Sequence, residues 1–173
     1  IVKLFWERAR VLRSGGDRDR ALAALENVRK LEPEHGGALR VSGEIYLTMQ
    51  RFKEAPEQLG RLSALSEAPK QQRLMSGIAA VDIYEGKLND PRQALAVLVG
   101  LHDAGLATLQ VRERLAPAAA KTGAWQRPAS TFELVMNERD TSAGRAEAAR
   151  LAMAIRRDRL SDAKSARNAV SKL

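Results

Sequence analysis

The stretch Gly15–Leu47, GGDRDRALAALENVRKLEPEHGGALRVSGEIYL, decides the fold. Ala21, Leu22, Leu25, Val28 and Leu31 recur at the three- and four-residue spacing that lines up one face of a helix. Gly16-Asp17 ahead of them makes a turn, and Asp17 or Asp19 supplies an N-cap. Pro33 closes the helix, because proline has no N–H to donate and its ring clashes with the preceding turn. Gly36-Gly37 then opens a second helix that runs to Leu47. The stretch reads as the second helix of one hairpin, a turn, and the first helix of the next.

Moving outward, the pattern repeats. After a shift of 34 residues, Ala55, Leu59 and Leu62 fall where Ala21, Leu25 and Val28 fell, with Gln50-Arg51-Phe52 in the intervening turn. The upstream copy carries Phe5, Ala9, Leu12, Ala21, Leu25 and Pro33; the next carries Leu39, Gly43, Tyr46, Ala55 and Leu59. Small residues at Ala9, Ala21, Gly43 and Ala55 let helices approach closely, and the large ones fill the space between hairpins. A helical hairpin at this period resembles the tetratricopeptide repeat family, most closely over residues 5 to 62.

The resemblance implies an all-α fold: a right-handed superhelical solenoid of about five antiparallel helical hairpins. Their expected extents are residues 1–33, 35–67, 70–103, 106–138 and 142–173. The third hairpin departs from the period, since Ala94 follows Ala55 by 39 residues. The extra residues divide between Glu67-Ala68-Pro69-Lys70 and Gly86-Lys87-Leu88-Asn89-Asp90-Pro91. Its first helix is expected over about Gln71 to Glu85, burying Leu74, Ile78, Val81 and Tyr84. Asn89 or Asp90 caps the next helix, with Pro91 at its first position and Ala94, Leu95, Leu98 and Leu101 as its core stripe. In the fourth hairpin a helix is expected over Leu106 to Thr122, kinked or split by Pro117, followed by a turn at Trp125 and a helix with Phe132, Val135 and Met136. A fifth hairpin carries Ala146, Ala149, Ala152 and Ile155, then Ala163, Ala166 and Val170, with arginines at 145, 150, 156, 157 and 159.

Composition sets bounds. The chain has 173 residues, a net charge of +8 and a pI near 10.3. The charges are interleaved with Asp and Glu and form no like-charge block, so the sequence favours a solvated basic surface over a nucleic-acid footprint. The absence of cysteine excludes disulfides, Cys-containing zinc sites and thiol catalysis. No apolar run approaches the roughly 18 residues of a membrane-spanning helix. No signal peptide opens the chain, which begins at Ile1 and reads as a fragment or a processed chain. The expected compartment is the cytoplasm of a bacterium, and a disulfide-free chain also suits the periplasm.

Enumeration of chemistry gives little. His35 and His102 lie near helix ends with no ligand partner in the sequence, and each reads as a surface or capping residue. HExxH, GxSxG and GxxxxGK[ST] are all absent. The expectation is therefore a chain that is not an enzyme, with no cofactor and no metal.

In the family, the first helix of each hairpin lines the concave face. The residues implied for partner binding are Trp6, Arg10 and Arg13 on the first of these helices, with Lys3 one turn back, and Arg40 and Glu44 on the second, with Leu47. A Trp beside basic residues suits an acidic, partly apolar peptide or a chain carboxylate. The other reading of Trp6 is packing against a preceding repeat. Members that clamp chaperone-tail carboxylates carry Lys and Asn on the first of these helices and Asn on the second. Here Trp6, Arg10 and Val41 stand at those places, which argues against that activity.

Two function classes follow. One is a protein–protein interaction scaffold that binds a peptide or a small folded partner. The other is a basic helical module for a polyanion: nucleic acid, anionic lipid or acidic polysaccharide. A structural spacer in a larger assembly is a third use of stacked hairpins. The terminal stripe Ala163, Ala166, Ala169 and Val170 lacks a polar cap, so self-association through terminal repeats is also expected.

Overall fold

The computed structural model describes residues 1–122. The chain divides into two compact units, Ile1–Ala107 and Thr108–Leu173. The described residues form helices and no strands.

The first unit holds α1 (Val2–Ser14), α2 (Arg18–Leu31), α3 (Gly36–Thr48), α4 (Ala55–Ala64), α5 (Lys70–Gly86) and α6 (Pro91–Asp103). Each packs on the next in order, and α4 also touches α6, which makes a stack of three hairpins. Local chemistry sets the ends. Asp17 caps α2 by accepting from the Arg20 N–H at 3.1 Å, and Asp90 caps α6 by accepting from the Gln93 N–H at 3.1 Å. Pro56 and Pro91 sit in the first turns of α4 and α6, where a missing N–H costs nothing. Gly16 closes α1 at φ 81°, with Asp17 N–H on Leu12 O and Gly16 N–H on Arg13 O. Gly105 closes α6 in the same way, at φ 70°. Both are left-handed caps that hold the last carbonyls of the helix.

The core lies between successive helices. Ala9 of α1, Ala21, Leu25 and Val28 of α2, and Ala38, Val41 and Ile45 of α3 form one buried cluster, with Phe5 and Leu12 packed against it. Ala55 and Leu59 of α4 meet Ala80 and Ile83 of α5 in a second. The close approach at Gly43 is literal. A Cβ there would lie 2.8 Å from Leu59 Cδ2.

Two expectations about burial need correction. Leu31 is 52% exposed, because α2 ends on it and the chain turns away at Glu32. On α5 the buried positions are Arg73, Ser76, Gly77, Ala80, Val81 and Ile83, while Leu74, Ile78 and Tyr84 are only half-buried. The helix is pressed so closely on its neighbours that small residues win. A Cβ on Gly77 would lie 2.8 Å from Leu101 Cδ1. Arg73 is buried because its Nε donates to the Ser63 carbonyl at 3.0 Å, tying α5 to the end of α4 across the inserted loop.

In the second unit, α7 (Leu109–Thr122) starts three residues later than the expected Leu106, since Leu106 instead closes the α6 cap through its N–H on Leu101 O at 2.9 Å. The helix runs through Pro117 without splitting. The expected Trp125 turn, the second helix of the fourth hairpin and the whole fifth hairpin, with its arginines, lie outside the described residues.

Candidate functional site

The two helices expected to carry the partner-binding residues are α1 and α3. Their parallel roles follow from the hairpin repeat: each opens a hairpin, and each keeps a half-exposed side on which only Trp6 and Leu47 of the candidate residues pack against a core cluster. On α3, Ala38, Val41 and Ile45 face the core cluster, which leaves Gly37, Arg40, Glu44 and Leu47 on the half-exposed side.

The structure brings three of the five expected residues together. Glu44 receives Arg13 Nη2 of α1 on Oε2 at 2.8 Å and Arg40 Nη1 of its own helix on Oε1 at 2.8 Å. One carboxylate thus spans two guanidinium groups from successive hairpins. The side chains are 44% exposed at Arg13, 43% at Arg40 and 37% at Glu44, so both arginines keep N–H groups toward solvent. The group carries a net positive charge. Arg10 stands apart from it. Its Nη1 pairs within α1 with Glu7, at 3.1 and 3.2 Å to the two carboxylate oxygens.

Trp6 stands at the other end of the face, against the start of α3. Its ring centroid lies 5.0 Å from that of His35, with the planes tilted by 44°. Gly37 lies beneath the indole, where a Cβ would meet Trp6 Cη2 at 3.0 Å. Trp6 therefore packs on the following hairpin, and the glycine is what admits it. His35 itself caps α3: its Nδ1 accepts from the Ala38 N–H at 3.0 Å. A capping role for His35 was legible in the sequence, but its contact with Trp6 was not. The one signal was Gly36-Gly37, a pair of residues with no side chain next to a histidine.

A cleft of about 330 Å³ opens between the starts of α3 and α5, lined by Glu34, Gly37, Arg40, Glu67, Pro69 and Gln72 among others. Arg40 links it to the Glu44 group. Met75 on the exposed side of α5 is 63% exposed. Elsewhere in the unit, Arg20, Lys30 and Arg51 pair with Asp17, Glu26 and Glu54 respectively. The Arg51 hydrogen bond holds the Glu54 carboxyl below the usual carboxylate range. Among the described residues there is no group of three or more His, Asp or Glu placed to hold a metal ion, and no helix long and apolar enough to cross a membrane.

Residues 12–78 match the family model for the tetratricopeptide repeat. No curated protein matches the chain. Among solved structures, the chain is similar to the MamA protein, with 15% identity and a TM-score of 0.49 over 99% of this chain and 88% of that one. It is similar to YrrB, described as a TPR protein with an unusual peptide-binding site, with 20% identity and a TM-score of 0.45 over 97% of this chain and 82% of that one. A third is MamA from residue 41 to its end, from Desulfovibrio magneticus RS-1, at 15% identity and a TM-score of 0.45 over 99% and 92%.

Proposed function

We propose that this chain, whose residues 12–78 match the tetratricopeptide repeat model, is a protein-interaction scaffold that binds a peptide or a small folded protein on the face formed by α1 and α3. Arg13, Arg40 and Glu44 are its polar centre, Trp6 its apolar edge, and Arg10 a flanking cation. The observation that carries this reading is the Glu44 carboxylate held between Arg13 and Arg40, half-exposed and cationic overall. Two guanidinium groups preset at the spacing of one carboxylate suit a partner that brings acidic side chains or a chain terminus. Trp6 at the other end of the face and the exposed Met75 of α5 suit apolar side chains in the same partner.

A polyanion-binding module is the weaker reading. Arg10, Arg20, Lys30 and Arg51 each pair with a carboxylate three or four residues away, which breaks up any continuous basic stripe through them.

The test is affinity capture at moderate salt with the wild-type chain and an Arg13→Glu, Arg40→Glu variant whose helicity is checked by circular dichroism. A discrete protein held by the wild type and lost by the variant supports the scaffold. Nucleic acid or another polyanion as the sole catch, released steeply as salt rises, would transfer the case to the basic surface.

A further inference from the structure

Helix caps are usually Ser, Thr, Asp or Asn. α3 is capped by a histidine instead, and that histidine touches the tryptophan on the candidate binding face. We propose that His35 is a proton-sensitive latch: the neutral imidazole caps α3 and seats Trp6, and protonation releases both.

The chemistry is local. Nδ1 accepts from the Ala38 N–H, so the neutral ring carries its proton on Nε2. A proton added to Nδ1 puts a donor against a donor, and the bond is lost. The resulting cation also faces the positive end of the α3 dipole. Trp6 rests on His35 and over Gly37 at contact distance, so moving the imidazole removes one wall of the indole's seat.

The surrounding charges set a second position for the ring. Glu32 and Glu34 line the same shallow cleft as His35 on the α2–α3 turn and attract the cation away from the helix end. Of the cations nearby in sequence, Lys3 and Arg10 lie one turn either side of Trp6 on α1 and Arg40 lies about one turn into α3, the last two already paired with Glu7 and Glu44. Arg61 of α4 opposes it, with its Nη2 donating to the Pro33 carbonyl at 2.8 Å. The neutral ring is held by the helix and the cation by the turn. Any effect of the latch on a partner rests on the scaffold reading. The latch itself is read on the free protein.

The experiment uses the full chain in a Trp125→Phe background, which leaves Trp6 as the only indole. Trp6 emission and the Ala38 amide resonance are followed from about pH 8 to pH 5, the span in which an imidazole changes charge. The same titration is run on His35→Asn, whose amide oxygen caps without titrating. His102 is present in both chains. The expected result is a joint sigmoidal change in both signals in the parent chain and flat signals in His35→Asn. A flat parent, or an asparagine variant that changes as much as the parent, overturns the proposal. If His35→Asn does not fold, the ¹⁵N signature of the His35 ring in the parent decides. A proton on Nε2 at pH 8 is required, and a proton on Nδ1 contradicts the cap. A titration that behaves as expected beside a failed capture experiment would sink the scaffold and leave the latch standing.

Discussion

Arg13 of α1 and Glu44 of α3 meet at 2.8 Å across the boundary between two successive hairpins, and Arg40 meets the same carboxylate from its other side. The group is half-exposed, so its contribution to folding is small. Glu44→Gln is expected to change unfolding free energy by less than about 1 kcal/mol in a urea titration. A larger loss would mean that the group is a structural strut, and its availability to a partner would fall accordingly.

Packing between helices is where stability is concentrated. At Gly77, an added Cβ meets Leu101 at 2.8 to 3.0 Å on three of its atoms, whereas at Gly100, in α6, it meets nothing within 4 Å. Gly77→Ala is therefore expected to destabilise by about 1–3 kcal/mol through overpacking. Gly100→Ala should stabilise by about 0.5–1 kcal/mol through helix propensity. Parallel thermal melts of the two variants check both signs at once.

Ser42 is fully buried on α3 and its hydroxyl finds no protein partner. Removing the hydroxyl leaves no orphaned group behind. Ser42→Ala should match the wild type or exceed it by about 1 kcal/mol in chemical denaturation. A clear destabilisation would show that the hydroxyl is bonded, through an ordered water, inside the hairpin.

Caps give a further contrast. Asp90 accepts from the Gln93 N–H and follows Asn89, which takes a left-handed φ of 49°. Asp90→Ala should cost about 1 kcal/mol, the usual value of an N-cap oxygen. Asn89→Gly should be neutral or stabilising, because glycine adopts that φ without a side-chain clash. An Asn89→Gly variant as unstable as Asp90→Ala would place the Asn89 side chain in the capping network.

Burial pushes the Tyr84 phenol above its usual range near 10.0, with the Glu57 and Asp90 carboxylates adding to the effect. The folded state therefore favours the neutral phenol. That stability is complete below the unfolded-chain value and is lost as pH rises from it through the higher folded one. Unfolding free energy should fall above about pH 10 in the wild type and fall less in Tyr84→Phe. Identical profiles in the two chains would remove Tyr84 as the cause.

Much of this fold was legible because the repeat carries its own punctuation. Asp17, Asp90, Pro56 and Pro91 mark helix starts in the sequence as they do in the structure. The stripes Ala21-Leu25-Val28 and Ala94-Leu98-Leu101 are buried as their spacing requires. α5 was harder to read. Its large apolar residues suggested one face, yet Ser76, Gly77 and Ala80 are what two close neighbours accept, and hydrophobicity does not encode that distance. For the candidate site, the contacts were not legible. The resemblance implied Arg13, Arg40 and Glu44 on the partner-facing side of α1 and α3, and in the structure all three are half-exposed. Which cation takes Glu44, and that Trp6 rests on His35, depend on how one hairpin stacks on the next.

Hydrogen exchange of the chain with and without a partner retained in the capture experiment shows which helices that partner covers. A scaffold that uses the α1–α3 face predicts new protection in residues 2–14 and 36–48, with residues 18–31 and 55–64 unchanged. Protection confined to α2 and α4, or to the chain beyond residue 107, would contradict it.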